Sequence, residues 1–161
     1  MGYRDISAQC IDVAYRYLSY RPRSEGEMKQ RLRKRGFEPE VIEKTIEKLK
    51  EQDIIDDYAF ARFWKDAQLS NKPKSKRLII EELTDKNVEE GIIKQVTEGI
   101  DDETNAYTLG SNRAQTLTHL DYTSFRRRLE NVLSYRGFSY GIIKHTIDIL
   151  WKEKDQGGST L

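Results

Sequence analysis

The chain has 161 residues, of which 28 are Lys or Arg and 27 are Asp or Glu, so it is highly charged although its formal net charge is only +1. Hydrophobic residues make up 37% of the chain, which is less than in an average globular domain and favours a thin core in a repetitive fold. The charge balance argues against a protein that binds nucleic acid by charge alone. The single cysteine, and the lack of a signal peptide or a long apolar run, predict a cytoplasmic protein without a membrane anchor.

The first predicted element is a helix, because apolar side chains recur at helical spacing at Ala8, Ile11, Tyr15 and Leu18. A second helix follows Pro22 and is expected to end at Gly36, since glycine tolerates the left-handed conformation that closes a helix. Pro39 suits the first turn of a third helix. This helix carries an apolar stripe of period 3.6, formed by Val41, Ile42, Thr45, Ile46 and Leu49.

The same three-helix pattern returns twice along the chain. The segment 18–24, LSYRPRS, matches the segment 69–75, LSNKPKS, at a shift of 51 residues. Asn87 and Gly137 stand at the positions that correspond to Gly36, and both residue types tolerate the left-handed conformation. The sequence therefore predicts an all-α protein of three tandem three-helix repeats in an elongated, curved array, with repeats at 1–52, 53–100 and 101–155 and a disordered tail at 156–161.

Paired acidic residues precede the second and third repeats. Asp56 and Asp57 come before the second leading helix, and Asp101 and Asp102 come before the third. Such pairs can serve acid–base or metal chemistry, but their position favours helix caps, where a carboxylate accepts backbone N–H groups and opposes the helix dipole. No His-Glu-x-x-His pattern or phosphate-binding loop occurs. We therefore expect neither an enzyme nor a metal or cofactor.

Basic residues form three clusters, one at or just before the second helix of each repeat. A single cluster is most simply a solvated face, but three equivalent clusters favour an anionic partner, either nucleic-acid phosphates or an acidic protein groove. Two tyrosines beside loops, Tyr20 and Tyr140, are the aromatic candidates for contact with unpaired bases. The clusters contain Arg21, Arg23, Arg31 and Arg33; Lys72, Lys74, Lys76 and Arg77; and Arg126, Arg127, Arg128 and Arg136.

The chain resembles the RecX regulatory proteins of bacterial recombination. The resemblance covers residues 8 to 151 and is carried by the order and spacing of Leu18-Ser19, residues 24–32 running into Arg35-Gly36-Phe37, residues 56–61, and residues 136–139. It implies three tandem three-helix repeats. It also implies a monomer without catalytic activity that binds RecA and its filament on single-stranded DNA, and that inhibits filament growth, ATP hydrolysis, strand exchange and co-protease activity.

On this interpretation the contact face is formed by the basic clusters: Lys72, Lys74, Lys76, Arg77, Arg126, Arg127 and Arg128 first, then Arg21, Arg23, Arg31 and Arg33. The near-neutral total leaves a weak direct contact with single- or double-stranded DNA open. An alternative is a helix-turn-helix module that binds DNA directly and controls transcription, because the helix pair that meets at Gly36 has the local form of that motif.

Overall fold

The computed structural model describes residues 5–157. Within this range the chain forms nine helices and no strand, as the all-α prediction requires. The helices are α1 (Ile6–Leu18), α2 (Glu25–Lys34), α3 (Pro39–Glu51), α4 (Asp57–Leu69), α5 (Lys76–Asp85), α6 (Glu90–Thr97), α7 (Asp102–Ala114), α8 (Tyr122–Tyr135) and α9 (Tyr140–Gly157).

The helices divide into two compact units. The first unit contains the chain up to Lys65 together with Glu82–Glu98, and the second contains Asp66–Glu81 together with the chain from Gly99 onward. The division passes through α4 and α5, so each of these helices contributes one end to each unit.

The core of the first unit is formed mainly by α1, α2 and α3. On α3 it follows the predicted stripe, because Ile42, Ile46 and Leu49 are buried, and α2 adds the buried Met28 and Leu32. The predicted face of α1 is correct only in part, because Leu18 packs against this core while Tyr15 is exposed. Cys10 and Ala14 are buried and Ala8 is exposed, because α1 places its small residues, which allow close approach, against the core.

The core of the second unit gathers α7, α8 and α9 around Phe125, which is fully buried. Trp151 of α9 lies against Phe125, with ring centroids 5.2 Å apart. Gly110 lets α7 approach α9 closely, since a Cβ at this position would lie 2.9 Å from Leu150 Cδ1.

One hydrogen-bond pattern ends the second helix of all three repeats. The N–H groups of Phe37, Val88 and Phe138 donate to the carbonyl oxygens of Leu32, Leu83 and Leu133, five residues earlier, at 3.1–3.3 Å. The residues before them have φ values in the left-handed region: +87° at Gly36, +59° at Asn87 and +91° at Gly137.

The C-terminal tail differs from its prediction. Gln156 and Gly157 belong to α9. The residues before them include the good helix formers Lys152, Glu153 and Lys154, and Lys154 anchors the last turns, since its Nζ donates to the Leu120 carbonyl at 2.6 Å. The remaining predicted tail residues, 158–161, lie outside the described residues.

Candidate functional site

The first basic cluster begins with an arginine that is engaged within the first unit. Arg21 Nη2 and Nη1 donate to Glu27 Oε1 and Oε2 at 2.6 and 3.2 Å. The guanidinium carbon also lies 5.3 Å from the centroid of the Trp64 ring, a distance at which a cation is attracted by the ring face. Only 29% of the Arg21 side chain is exposed, so most of its hydrogen-bonding capacity serves the packing of the unit.

Tyr17 of α1 holds two further arginines of this cluster. The Arg23 guanidinium carbon lies 3.8 Å from the Tyr17 ring centroid, and that of Arg31 lies 5.3 Å from it. Arg23 Nε also donates to the Tyr17 carbonyl at 3.1 Å. Arg31 and Arg33 are exposed on α2, which makes them the members of the four that a partner can reach most readily.

Lys86 joins the same group of side chains from the end of α5. Its Nζ lies 3.2 Å from Glu27 Oε1 and 4.3 Å from the Trp64 ring centroid. Burial alone raises the pKa of Glu27, but the hydrogen bonds from Arg21, from the Ser24 N–H and from Lys86 outweigh it, so the pKa lies below its ordinary value. Glu27 therefore stays ionised and neutralises two cations at once.

Residues 21–27 contact Lys86 and Asn87 within the first unit, and we call this contact region the first joint. Ser24 Oγ accepts the Glu27 N–H at 3.0 Å and donates to the Lys86 carbonyl at 2.8 Å. A Cβ on Gly26 would lie 2.6 Å from Asn87 Cβ, so the backbones of the two helix ends are in close contact. Ser24 thus caps α2 and ties it to the last turn of α5.

Residues 72–78 contact Arg136 and Gly137 within the second unit, and we call this contact region the second joint. It corresponds to the first joint in the repeat, with a serine at the start of one helix next to the end of another. Ser75 Oγ accepts the Leu78 N–H at 3.1 Å, and the Ser75 N–H donates to the Arg136 carbonyl at 2.9 Å. Arg136 Nη2 donates to the Lys72 carbonyl. The structure therefore brings Arg136, which the sequence assigns to the third cluster, to the second cluster.

The two joints differ in charge although they correspond in the repeat. At a shift of 51 residues, Lys76 and Leu78 replace Glu25 and Glu27. The first joint thereby contains two carboxylates next to its cations, and the acid that bridges Arg21 and Lys86 has no counterpart in the second joint. There, Arg77 Nη1 pairs with Glu81 Oε1 at 2.6 Å, and Lys72 and Arg136 form no ion pair within residues 5–157.

A basic residue directly before the helix-closing residue is the sequence signal for these joints. Lys86 and Arg136 each stand directly before the left-handed residue that closes a second helix. The repeat therefore places a cation at corresponding positions of the two joints, but only the structure shows which basic segment each cation meets.

The third cluster lies on α8. Arg126, Arg127 and Arg128 are all exposed between the buried Phe125 and Leu129. Consecutive residues are about 100° apart around a helix, so the three side chains spread over about 200° of its circumference. Arg126 Nε pairs with Glu130 Oε1 at 3.4 Å. A flat partner can therefore meet at most part of this cluster at once.

The acidic pairs act on backbone N–H groups. Asp56 Oδ1 accepts from Tyr58 N at 3.0 Å and caps its own helix, α4. Asp57, predicted to cap α4, instead accepts the N–H of Glu25, the first residue of α2, at 2.8 Å, because α4 begins at Asp57 itself. Burial raises the pKa of Asp57 above its ordinary value.

The third repeat contains the corresponding contact. Asp102 is the first residue of α7, and its Oδ1 accepts the N–H of Lys76, the first residue of α5, at 2.8 Å. Among residues 5–157 no group of three or more His, Cys, Asp or Glu side chains is arranged to hold a metal ion. Over the same range no helix is both long and apolar enough to cross a membrane.

Comparison with known proteins agrees with the repeat pattern. A family model described as RecX, first three-helix domain, matches residues 10–49. The regulatory protein RecX of Pelodictyon phaeoclathratiforme is 31% identical over 140 residues, which are 87% of this chain and 88% of the relative. The chain belongs to the RecX family. The regulatory protein RecX of Mycobacterium avium is 33% identical over 139 residues, 83% of this chain and 80% of the relative.

The fold agrees with a solved member of the RecX family. The crystal structure of RecX from Lactobacillus salivarius superimposes with a TM-score of 0.72 at 26% identity, covering 91% of this chain and 97% of the other. The resemblance and the all-α fold predicted from the sequence are therefore confirmed. The relatives are regulatory proteins by name, so a regulatory role follows for this chain.

Proposed function

We propose that this RecX protein binds RecA and the RecA filament on single-stranded DNA, and that it inhibits filament extension, ATP hydrolysis, strand exchange and co-protease activity. The observation that carries the proposal is its membership of the RecX family over more than four-fifths of its length. RecA regulation is the role that this family membership implies.

The exposed basic residues support binding to a large partner at several points. Arg31 and Arg33 on α2, Lys72 before α5, and Arg127 and Arg128 on α8 all reach solvent. A charge at a polar rim contributes little affinity by itself but raises the rate of association and selects the partner. When several such contacts form to one filament, each further contact gains from the high effective concentration set by the first.

Arg21 is the weakest candidate of the predicted contact face. Its guanidinium already bonds Glu27 and lies over Trp64. A partner would have to replace these interactions, and removing a cation from a half-buried pair costs more than an exposed contact returns. We therefore assign Arg21 to the stability of the first unit.

The proposal is tested by measuring RecA ATPase activity on single-stranded DNA with increasing amounts of this protein. We expect inhibition at or below one protein per RecA monomer. An unchanged ATPase rate when the protein is present at stoichiometric amounts would contradict the proposal.

A pair of variants tests the contact face. Arg127→Gln with Arg128→Gln removes two exposed charges of the third cluster and should raise the concentration needed for half-inhibition several-fold. Lys44→Gln with Lys48→Gln removes the same charge from the exposed side of α3, outside the three clusters, and should leave inhibition unchanged. Equal effects of the two pairs would mean that net charge alone matters.

A further inference from the structure

The second joint carries a group of cations that the first joint lacks. Lys72, Lys74, Lys76, Arg77 and Arg136 form what we call the joint patch. Arg136 Nη2 donates to the Lys72 carbonyl, and Arg77 Nη2 donates to the Gly137 carbonyl at 3.3 Å. The first hydrogen bond ties Arg136 to the segment that contains the three lysines, and the second ties Arg77 to the end of α8.

Two acidic side chains next to the joint patch are already engaged. Glu81 pairs with Arg77, and Asp102 is committed to the backbone N–H of Lys76 at 2.8 Å. Lys72 is exposed and, within residues 5–157, forms no ion pair. In the first joint Glu27 lies between the corresponding cations. The joint patch is therefore the more favourable of the two joints for a polyanion.

An exposed aromatic residue borders the joint patch. Tyr135 ends α8 directly before Arg136, and 83% of its surface is exposed. The Tyr135 ring is therefore accessible to solvent. A cation beside an aromatic ring of this kind suits single-stranded nucleic acid, since unpaired bases stack on the ring while phosphates meet the cations. The bases of a duplex have their faces covered by their neighbours and cannot stack in this way.

We infer that the joint patch and Tyr135 form a binding site for single-stranded nucleic acid. The inference deepens the proposed function and rests on it for its setting, since a protein that acts on a RecA filament meets a single strand there. It also departs from the expectation of three equivalent clusters, because it assigns direct contact with the strand to the second unit.

The chain contains a matched control for the aromatic contact. Tyr20 in the first unit is also 83% exposed and also directly precedes an arginine, Arg21. Arg21, next to Tyr20, is neutralised by Glu27, whereas Arg136, next to Tyr135, forms no ion pair within residues 5–157. The two tyrosines thus have the same exposure and neighbour but different electrostatic surroundings.

The experiment measures fluorescence anisotropy of a labelled oligothymidylate, titrated with the full-length protein without RecA. Tyr135→Ala should weaken binding about tenfold, the scale of one lost stacking contact. Tyr135→Phe should bind as the wild type does, since it keeps the ring, and Tyr20→Ala should also have no effect. Failure of the wild type to bind, or equal losses from Tyr135→Ala and Tyr20→Ala, would overturn the inference.

The salt dependence tests the cations separately. Lys72→Gln should reduce the slope of log affinity against log salt concentration by about 0.7, the contribution of one phosphate contact on a single strand. Lys48→Gln removes the same charge from α3 and should leave the slope unchanged. An unchanged slope for Lys72→Gln would exclude a phosphate contact at this residue and overturn the inference.

The RecA ATPase assay separates this inference from the proposed function. If the protein inhibits RecA but does not bind the oligonucleotide, the joint patch meets protein and the inference fails while the proposed function stands. If the protein binds the oligonucleotide as described but never inhibits RecA, the site exists and the proposed function fails.

Discussion

Replacing Gly137 by alanine should destabilise the protein far more than the same replacement at Gly36. Both glycines have φ near +90°, a region that costs a non-glycine residue about 1–2 kcal/mol. Their surroundings differ. A Cβ at Gly36 would have no heavy atom within 4 Å, whereas at Gly137 it would lie 2.6 Å from Ser75 Oγ and 3.0 Å from Leu78 Cβ.

The second joint therefore adds two further costs at Gly137. Overpacking of this kind costs about 1–3 kcal/mol, and displacing Ser75 removes the helix cap it provides to Leu78, for about another 1 kcal/mol. We expect Gly137→Ala to lower the free energy of unfolding by about 3–6 kcal/mol and Gly36→Ala by about 1–2 kcal/mol. For a chain of this size each kcal/mol lowers Tm by about 2–4 °C.

Urea denaturation followed by circular dichroism measures both losses, with Gly26→Ala as a third variant. Gly26 has no positive φ, but its Cβ would lie 2.6 Å from Asn87 Cβ, so this variant reports the crowding of a joint without the backbone strain. Gly26→Ala should cost less than Gly137→Ala, because the gain in helix propensity offsets about 1 kcal/mol of the crowding. Equal losses at Gly36 and Gly137 would refute the close contact at the second joint.

Two further predictions concern the acids of the first unit. Folding lowers the pKa of Glu27, so its contribution to stability is present above the ordinary pKa of about 4.5 and is lost as the pH falls through the lower folded value. Glu27→Gln should therefore make the free energy of unfolding depend less on pH in the acid range. An unchanged pH dependence in this range would contradict the prediction. Asp57→Ala leaves the Glu25 N–H without its acceptor and should cost about 1–3 kcal/mol, whereas Asp57→Asn keeps an acceptor and should cost less in the same denaturation assay.

The positions that end the second helices could be predicted because the signal is local. Gly36, Asn87 and Gly137 recur at fixed spacing and are residue types that accept positive φ, and the structure has φ of +59° to +91° there. The apolar stripe of α3 was predictable for the same reason, since a helix converts spacing along the chain directly into a face.

Whether each basic side chain is engaged or exposed could not be predicted from the sequence, because it depends on partners that are distant along the chain. Arg21 lies over Trp64, which is 43 positions later in the sequence, and Arg136 reaches Lys72, 64 positions earlier. A charge cluster read along the chain does not distinguish an arginine that stacks on a ring from one in solvent. The face of α1 was misread in part for a related reason: Tyr15 fits the apolar period but is 45% exposed, while the smaller Cys10 and Ala14 fill the core.

The contact between Asp57 and α2 has a consequence for attempts to divide the protein. A fragment ending at residue 52, where the first repeat was predicted to end, would contain α1 to α3 but would lose Asp57, Trp64 and Lys86. The first turn of α2 would then lack an acceptor for its leading N–H, and Glu27 would keep only one of its two cations. The repeat that is visible in the sequence therefore shares side-chain contacts with residues beyond its predicted end, and a truncation intended to isolate it would open the first joint.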